Sequence, residues 1–141
     1  MQSITFRNLS KSYAGFAALK GVDLDLRRGE VHALMGTDDV ASAVTILSAK
    51  VPTLVVTHGA NGAEAHSGGE HARVSAEPVA KVVDTTGAGD LFAAGFLSGQ
   101  AEGRTLHDSL VMGAVCAAEV ISHYGPRPEA DLRALVDARL G

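Results

Sequence analysis

The sequence predicts an α/β protein, on three observations. Short apolar runs of strand length alternate with stretches of helical period from Val31 onward. The first third alternates apolar and polar residues one by one. Two glycines in one short turn, Gly87 and Gly89, stand where a helical stretch begins.

The elements follow in order. Ser3 to Asn8 sets Ile4 and Phe6 against Thr5 and Arg7, and Val22 to Leu26 sets Val22, Leu24 and Leu26 against Asp23 and Asp25. Both have the period of two of half-buried strands, so the aspartate pair reads as a solvated strand face. Arg27 to Glu30 is a turn, and Val31 to Met35 a short buried strand ending at Gly36. Asp38 or Asp39 can cap a helix through about Lys50, with Val40, Ala43, Val44 and Leu47 on one face. Pro52 ends it, and Thr53 to Thr57 is an apolar strand. His58 to Gly62 is a turn, and a strand follows near Ala63 to His66. Ser67-Gly68-Gly69-Glu70 is a hairpin turn before a strand through Arg73-Val74-Ser75. Helices are expected over Gly89–Gln100, over Leu106–Tyr124 with Gly125 as C-cap, and from Pro128 or Glu129 to Leu140.

Composition narrows the function classes. Hydrophobic residues make up 46% and charged residues 20%, a globular balance, and at 4% aromatic the core must be built of Ala, Val and Leu. The net charge of −4 leaves no basic excess for nucleic acid. The single cysteine, Cys116, excludes an internal disulfide and a cysteine-based zinc site, and it reads as a small buried hydrophobe. No apolar run reaches membrane-span length and the start lacks a signal pattern, so a cytoplasmic location is expected. The six histidines lack ligand spacing such as H-x-x-x-H and read as scattered surface and turn residues.

Asp84-Thr85-Thr86-Gly87-Ala88-Gly89-Asp90 carries the most chemistry. The glycines let the backbone approach a ligand closely, and a helix N-terminus offers unbonded amides and a favourable dipole to an anion. Asp90, in the first turn of that helix, makes sense as a base for a hydroxyl attacking a bound phosphate. In isolation, Gly-x-Gly-Asp is no more than a turn followed by a helix-stabilising carboxylate.

The wider string decides the weighing. Val83 to Phe96 resembles the second signature of the ribokinase-like (PfkB) carbohydrate kinases. Thr57-His58-Gly59-Ala60-Asn61-Gly62-Ala63 resembles their nucleotide-side T-x-G-x-x-G turn. Ala118 to Pro128 resembles the C-terminal part of the adenosine-kinase-like branch. This resemblance covers residues 37–141 and implies part of a three-layer ribokinase-like α/β fold. It implies ATP and Mg²⁺ as cofactors and phosphotransfer to a hydroxyl of a sugar or nucleoside. Asp90 would be the catalytic base, and the amides of Gly87, Ala88 and Gly89 the anion hole. Thr57, Gly59 and Gly62 would lie along the nucleotide, and the Cys116, Ala117 and Val120 face would line the adenine pocket. Asp84 and the Thr86 carbonyl match positions that hold a monovalent cation, K⁺, in some members.

Residues 1–36 resemble a different family. Ile4 to Tyr13, Ala18 to Leu24 and Gly29 to Gly36 are similar to the opening of a sugar-import ABC transporter ATPase, in which Gly36 would begin the P-loop. GxxxxGKS/T then needs Gly, Lys and Ser/Thr where this chain has Ala41, Ser42 and Ala43, so ABC ATPase chemistry is excluded. Glu30 fits either register. By the kinase resemblance it would help hold Mg²⁺-bound water, although Arg27 stands where that motif has Asn.

The expectation is therefore a chain joined from two parents near Ala33 to Thr37. By the resemblance, the acceptor pocket and lid of a complete kinase come largely from its N-terminal half, here replaced. Impaired phosphotransfer, a non-catalytic nucleotide-binding or interaction module, and a non-functional fusion are the alternatives. Exposed sheet edges could be covered in a homodimer.

Overall fold

The computed structural model describes residues 3–13, 16–27 and 39–141, with side-chain environments from residue 39 onward. The expected strand Val31–Met35, Glu30 and Gly36 lie outside the described residues. Two compact units emerge, Met1–Ala43 and Val44–Gly141.

The first unit contains an antiparallel pair, β1 (Ser3–Tyr13) and β2 (Phe16–Arg27), in register from Ser3↔Arg27 to Tyr13↔Phe16. Both strands run longer than the sequence pattern suggests. Register shifts at Phe6/Leu9, Leu9/Lys11 and Lys11/Ser12 explain why: each irregularity breaks the period of two that marks a strand in sequence. Helix α1 (Val40–Ser48) begins as expected at Asp39. The Asp39 carboxylate accepts from the Ser42 amide at 2.8 Å and the Ser42 hydroxyl at 2.7 Å, which holds its pKa below the ordinary carboxylate value.

The second unit holds a three-stranded antiparallel sheet in the order β3 (Thr53–Thr57), β4 (Ala63–Ser67), β5 (Glu70–Val74). Gly68 (φ +56°) and Gly69 (φ +85°) make the two-residue β4–β5 turn with positive φ at both positions, the backbone that matches strand twist. Alternation then puts Ala63, Ala65, Ala72 and Val74 on the core face, while Glu64, His66 and His71 share the opposite one. Helix α3 (Leu106–Val120) lies in the core among these alanines and valines.

Helix α2 (Ala88–Ala101) packs on α3 at unusually short range. A Cβ on Gly95 would stand 2.7 Å from the Met112 carbonyl oxygen, one on Gly99 2.7 Å from Ser109 Oγ, and one on Gly113 2.8 Å from the Phe92 carbonyl oxygen. Phe92, Phe96, Leu110, Met112 and Cys116 fill the space around these contacts. Ser109, the one buried polar side chain among the described residues, is satisfied: its hydroxyl donates to the Thr105 carbonyl at 2.9 Å and accepts from Gln100 Nε2 at 2.8 Å. Helix α4 (Leu132–Leu140) adds Val136 to the core, capped by Asp131, whose Oδ1 accepts from the Arg133 and Ala134 amides.

Two helix ends differ from the sequence expectation. Helix α3 stops at Val120 rather than Tyr124, and α4 starts at Leu132 rather than at Pro128 or Glu129. The side chains that divert the chain between them are distant in sequence. Glu119 Oε1 accepts from the Glu129 and Ala130 amides at 2.8 and 2.9 Å, and Asp84 Oδ2 accepts from the Gly125 amide at 3.1 Å.

Gly95→Ala should therefore lower stability by about 1–3 kcal/mol, because the clash is with fixed backbone. Gly89→Ala, with nothing within 4 Å of the added Cβ, should lose none. Urea midpoints of the two variants beside the parent check both.

Candidate active site

Asp84 organises the turn that enters α2. Its Oδ1 accepts from the Thr86 amide at 2.9 Å and the Thr86 hydroxyl at 2.7 Å, while Oδ2 takes the Gly125 amide across 41 residues of chain. These bonds, chiefly that from the Thr86 hydroxyl, hold the Asp84 pKa below its ordinary value. Gly87 then adopts φ +82°, and its α-carbon lies so close to Pro126 that a Cβ would stand 2.7 Å from the proline Cβ. Only glycine satisfies both conditions.

The result is a concave stretch of backbone at a helix N-terminus. The Ala88 amide is spent on the Thr85 carbonyl at 3.2 Å, and the Leu91 amide on Gly87 at 2.9 Å. The Gly89 and Asp90 amides lie in the first helical turn, where no intrahelical carbonyl is available, and they have no protein acceptor among the described residues. Gly89 is exposed, with open space where a side chain would be. Asp90 is exposed beside it and is the first-turn carboxylate of α2. Amides for an anion and a free carboxylate thus share one turn. Such a cradle fits a phosphate group: the room a Cβ would fill at Gly89 is open.

A second turn closes the β3–β4 connection. Thr57 ends β3, Gly59–Asn61 forms a 3-10 turn, and the His58 amide donates to the Gly62 carbonyl at 2.7 Å. Gly62 (φ +92°) is buried against the end of β5, where a Cβ would collide with the Val74 carbonyl oxygen. Its glycine is thus required by packing. Gly59 (φ +57°) is exposed, with nothing within 4 Å of a Cβ.

The α3 face divides. Val120 is fully buried and Cys116 is 5% exposed, with its Sγ against Gly95; burial pushes the thiol pKa up. Ala117, half-buried, is the residue of that trio open to a neighbour.

Sequence reasoning did not anticipate Glu119. Besides holding the 129–130 amides, its Oε1 lies 3.2 Å from His123 Nε2. Burial raises the Glu119 carboxyl, but those amides and His123 more than offset it, and its pKa falls below the ordinary value. Burial works against protonated His123, whereas the Tyr124 carbonyl, Glu119 and Glu129 (3.8 Å from Nδ1) favour it, and its pKa rises. The Glu119/His123 spacing of four in an α3 that was expected to reach Tyr124 was the available signal.

Two unpartnered amides and a carboxylate at one helix N-terminus, set in an α/β frame, form an arrangement able to receive an anion. The pfkB family carbohydrate kinase pattern matches residues 26–132, and the chain belongs to that family. The fructoselysine 6-kinase of Escherichia coli (strain K12) is 47% identical over 73 residues, 52% of this chain and 28% of that protein. The crystal structure of adenosine kinase from Sinorhizobium meliloti superposes with a TM-score of 0.70 at 39% identity, over 73% of this chain and 32% of the other. The chain thus spans about a third or less of each of these relatives. A 33-residue stretch, 23% of the chain, is 58% identical to a ribose/galactose/methyl galactoside import ATP-binding protein of Rhizobium meliloti (strain 1021), covering 7% of it. No helix among the described residues is long and apolar enough to cross a membrane.

The Glu119–His123 pair gives a pH signature. The folded-state pKa of His123 is raised above 6.5, so its stabilising contribution is complete below that value and is lost as pH rises through the folded pKa. Melting midpoints should fall as pH rises above 6.5 and through the raised folded-state pKa. His123→Gln should flatten that decline, with Glu119, Glu129 and Asp84 remaining as the surrounding charges.

Proposed function

We propose that this chain binds ATP at the Gly87–Asp90 turn and transfers its γ-phosphoryl group, weakly, to a hydroxyl of a sugar or nucleoside. The observation that supports this most directly is the Gly89 cradle, open beside an exposed Asp90. The amides of Gly89 and Asp90, with Gly87 and Ala88 shaping the turn, face the transferred phosphoryl group. Asp90 removes the proton of the attacking hydroxyl. Thr57 and Gly59 border the nucleotide phosphates and ribose; Gly62 acts by holding their turn against β5, and Ala117 presents the α3 face to the base, with Cys116 and Val120 supporting it from the core.

Mg²⁺ would neutralise phosphate charge. Glu30, which by the resemblance would help hold the ion, lies outside the described residues. Asp84 and Thr86 remain the candidate K⁺ position; the Asp84 carboxylate already serves three protein donors, which is a positioning role. We place this activity in the cytoplasm, where ATP is supplied, and the homodimer expected from exposed sheet edges is read by sedimentation. Residues 1–36 are assigned to the ABC-type parent and 37–141 to the kinase parent. The kinase match starting at residue 26 overlaps that boundary over the stretch where Glu30 fits both registers.

The short span relative to the kinases favours a second reading, nucleotide binding without turnover. Acceptor-dependent ADP formation distinguishes the two. Under the first, Asp90→Asn lowers turnover by about 10²–10⁴-fold while ATP still raises the melting midpoint. ATP stabilisation with no turnover in the parent establishes the second. Turnover unchanged in Asp90→Asn removes Asp90 as the base.

Gly89→Ala adds a cleaner probe. The chain itself tolerates the methyl group, so a loss of ATP stabilisation in a variant of parental stability reports a ligand against that turn.

A further inference from the structure

The outer face of the β4–β5 hairpin gathers side chains that the kinase reading does not use. Glu64 and His66 are two residues apart on one strand, and the two-residue turn sets His66 directly across from His71. Their rings stack with centroids 4.4 Å apart. One carboxylate lies at the centre: Glu64 Oε2 is 3.4 Å from His71 Nε2, and Oε1 is 4.0 Å from His66 Nε2. A third imidazole arrives from the β3–β4 turn, with His58 Nε2 3.3 Å from Glu64 Oε1.

Two features distinguish this cluster from surface ion pairs. The ligand atoms of Glu64, His66 and His71 all lie within 4.8 Å of one another. Ligands about 2.0–2.1 Å from a tetrahedral zinc stand about 3.4 Å apart, so side-chain rotations of small amplitude close the set. The Nε2 atom of His66, moreover, is shut off from solvent, makes no hydrogen bond and stands 4.0 Å from Glu64 Oε1, while His58 Nε2, equally enclosed, has only its 3.3 Å contact with the same oxygen. Enclosed imidazole nitrogens without a partner are costly unless something binds them.

We propose that Glu64, His66 and His71, with His58 as the fourth ligand, form a Zn²⁺ site. Three imidazoles and a carboxylate are a donor set suited to that borderline ion. The carboxylate supplies negative charge among groups that would otherwise repel when protonated; although burial raises its pKa, His71 and His58 bring it below the ordinary value. Since His58 belongs to the Thr57–Gly62 turn, bound zinc ties that turn to the hairpin. This site stands independently of the proposed phosphotransfer.

The test is a Co²⁺ titration of the full, tag-free chain, read by visible absorption, followed by competition with Zn²⁺. One Co²⁺ per chain with the intense bands of tetrahedral coordination, displaced by Zn²⁺, is expected. Absence of such bands, or displacement by no excess of Zn²⁺, overturns the proposal in the parent protein without any variant. The His66→Ala/His71→Ala variant should weaken binding by at least about tenfold, on the scale of losses at metal sites. His107→Ala, an exposed histidine of α3, should leave it unchanged. Undiminished binding by the double variant, or by Glu64→Gln with parental circular dichroism, also overturns it.

Discussion

The approach of α2 to α3 is the constraint from which the site follows. Gly95 and Gly99 on one helix and Gly113 on the other let backbone meet side chain and backbone directly. Phe92 and Phe96 can then pack beside the contact instead of holding the helices apart. A chain with 4% aromatic residues has few large side chains with which to fill a wider gap. Close contact replaces bulk, and it fixes where the N-terminus of α2 can lie.

Carboxylates then complete what the glycines begin. Asp84 folds its own turn through Thr86 and reaches Gly125, while Glu119 gathers the amides of Glu129 and Ala130. Both are ionised acceptors bonded to backbone N–H groups, stronger than neutral pairs and fixed in direction. Between them they hold the 121–130 segment out of helix and against Gly87 through Pro126. The anion cradle is thus the meeting point of two loops that are far apart in sequence, each held by one side chain.

Local patterns made much of this legible. The Ser67–Glu70 hairpin, the β3 strand and the glycine turn at the start of α2 follow from residue type and period alone. Long-range capture was not legible: nothing in the periodicity of 106–124 shows that Asp84 will take the Gly125 amide. The histidines failed differently. Spacing rules written for helices do not register side chains brought together by strand pairing, yet the hairpin turn already implied that His66 faces His71. His58 joins them through a turn that Gly62 seats against β5, and only the packing shows that.

Binding and catalysis place unequal demands on this fold. Every contact that shapes the cradle lies between Asp84 and Ala130, within one compact unit. Phosphate recognition by backbone amides needs only that local geometry. Phosphoryl transfer asks for more, because the hydroxyl must be held in line and water kept out, and positioning supplies a large share of the rate. Asp90 is exposed and has no side chain fixing its rotamer among the described interactions, so in the proposed transfer its precision as a base would depend on whatever packs over that turn. A surface that orders an acceptor over Asp90 would therefore raise turnover far more than affinity for ATP.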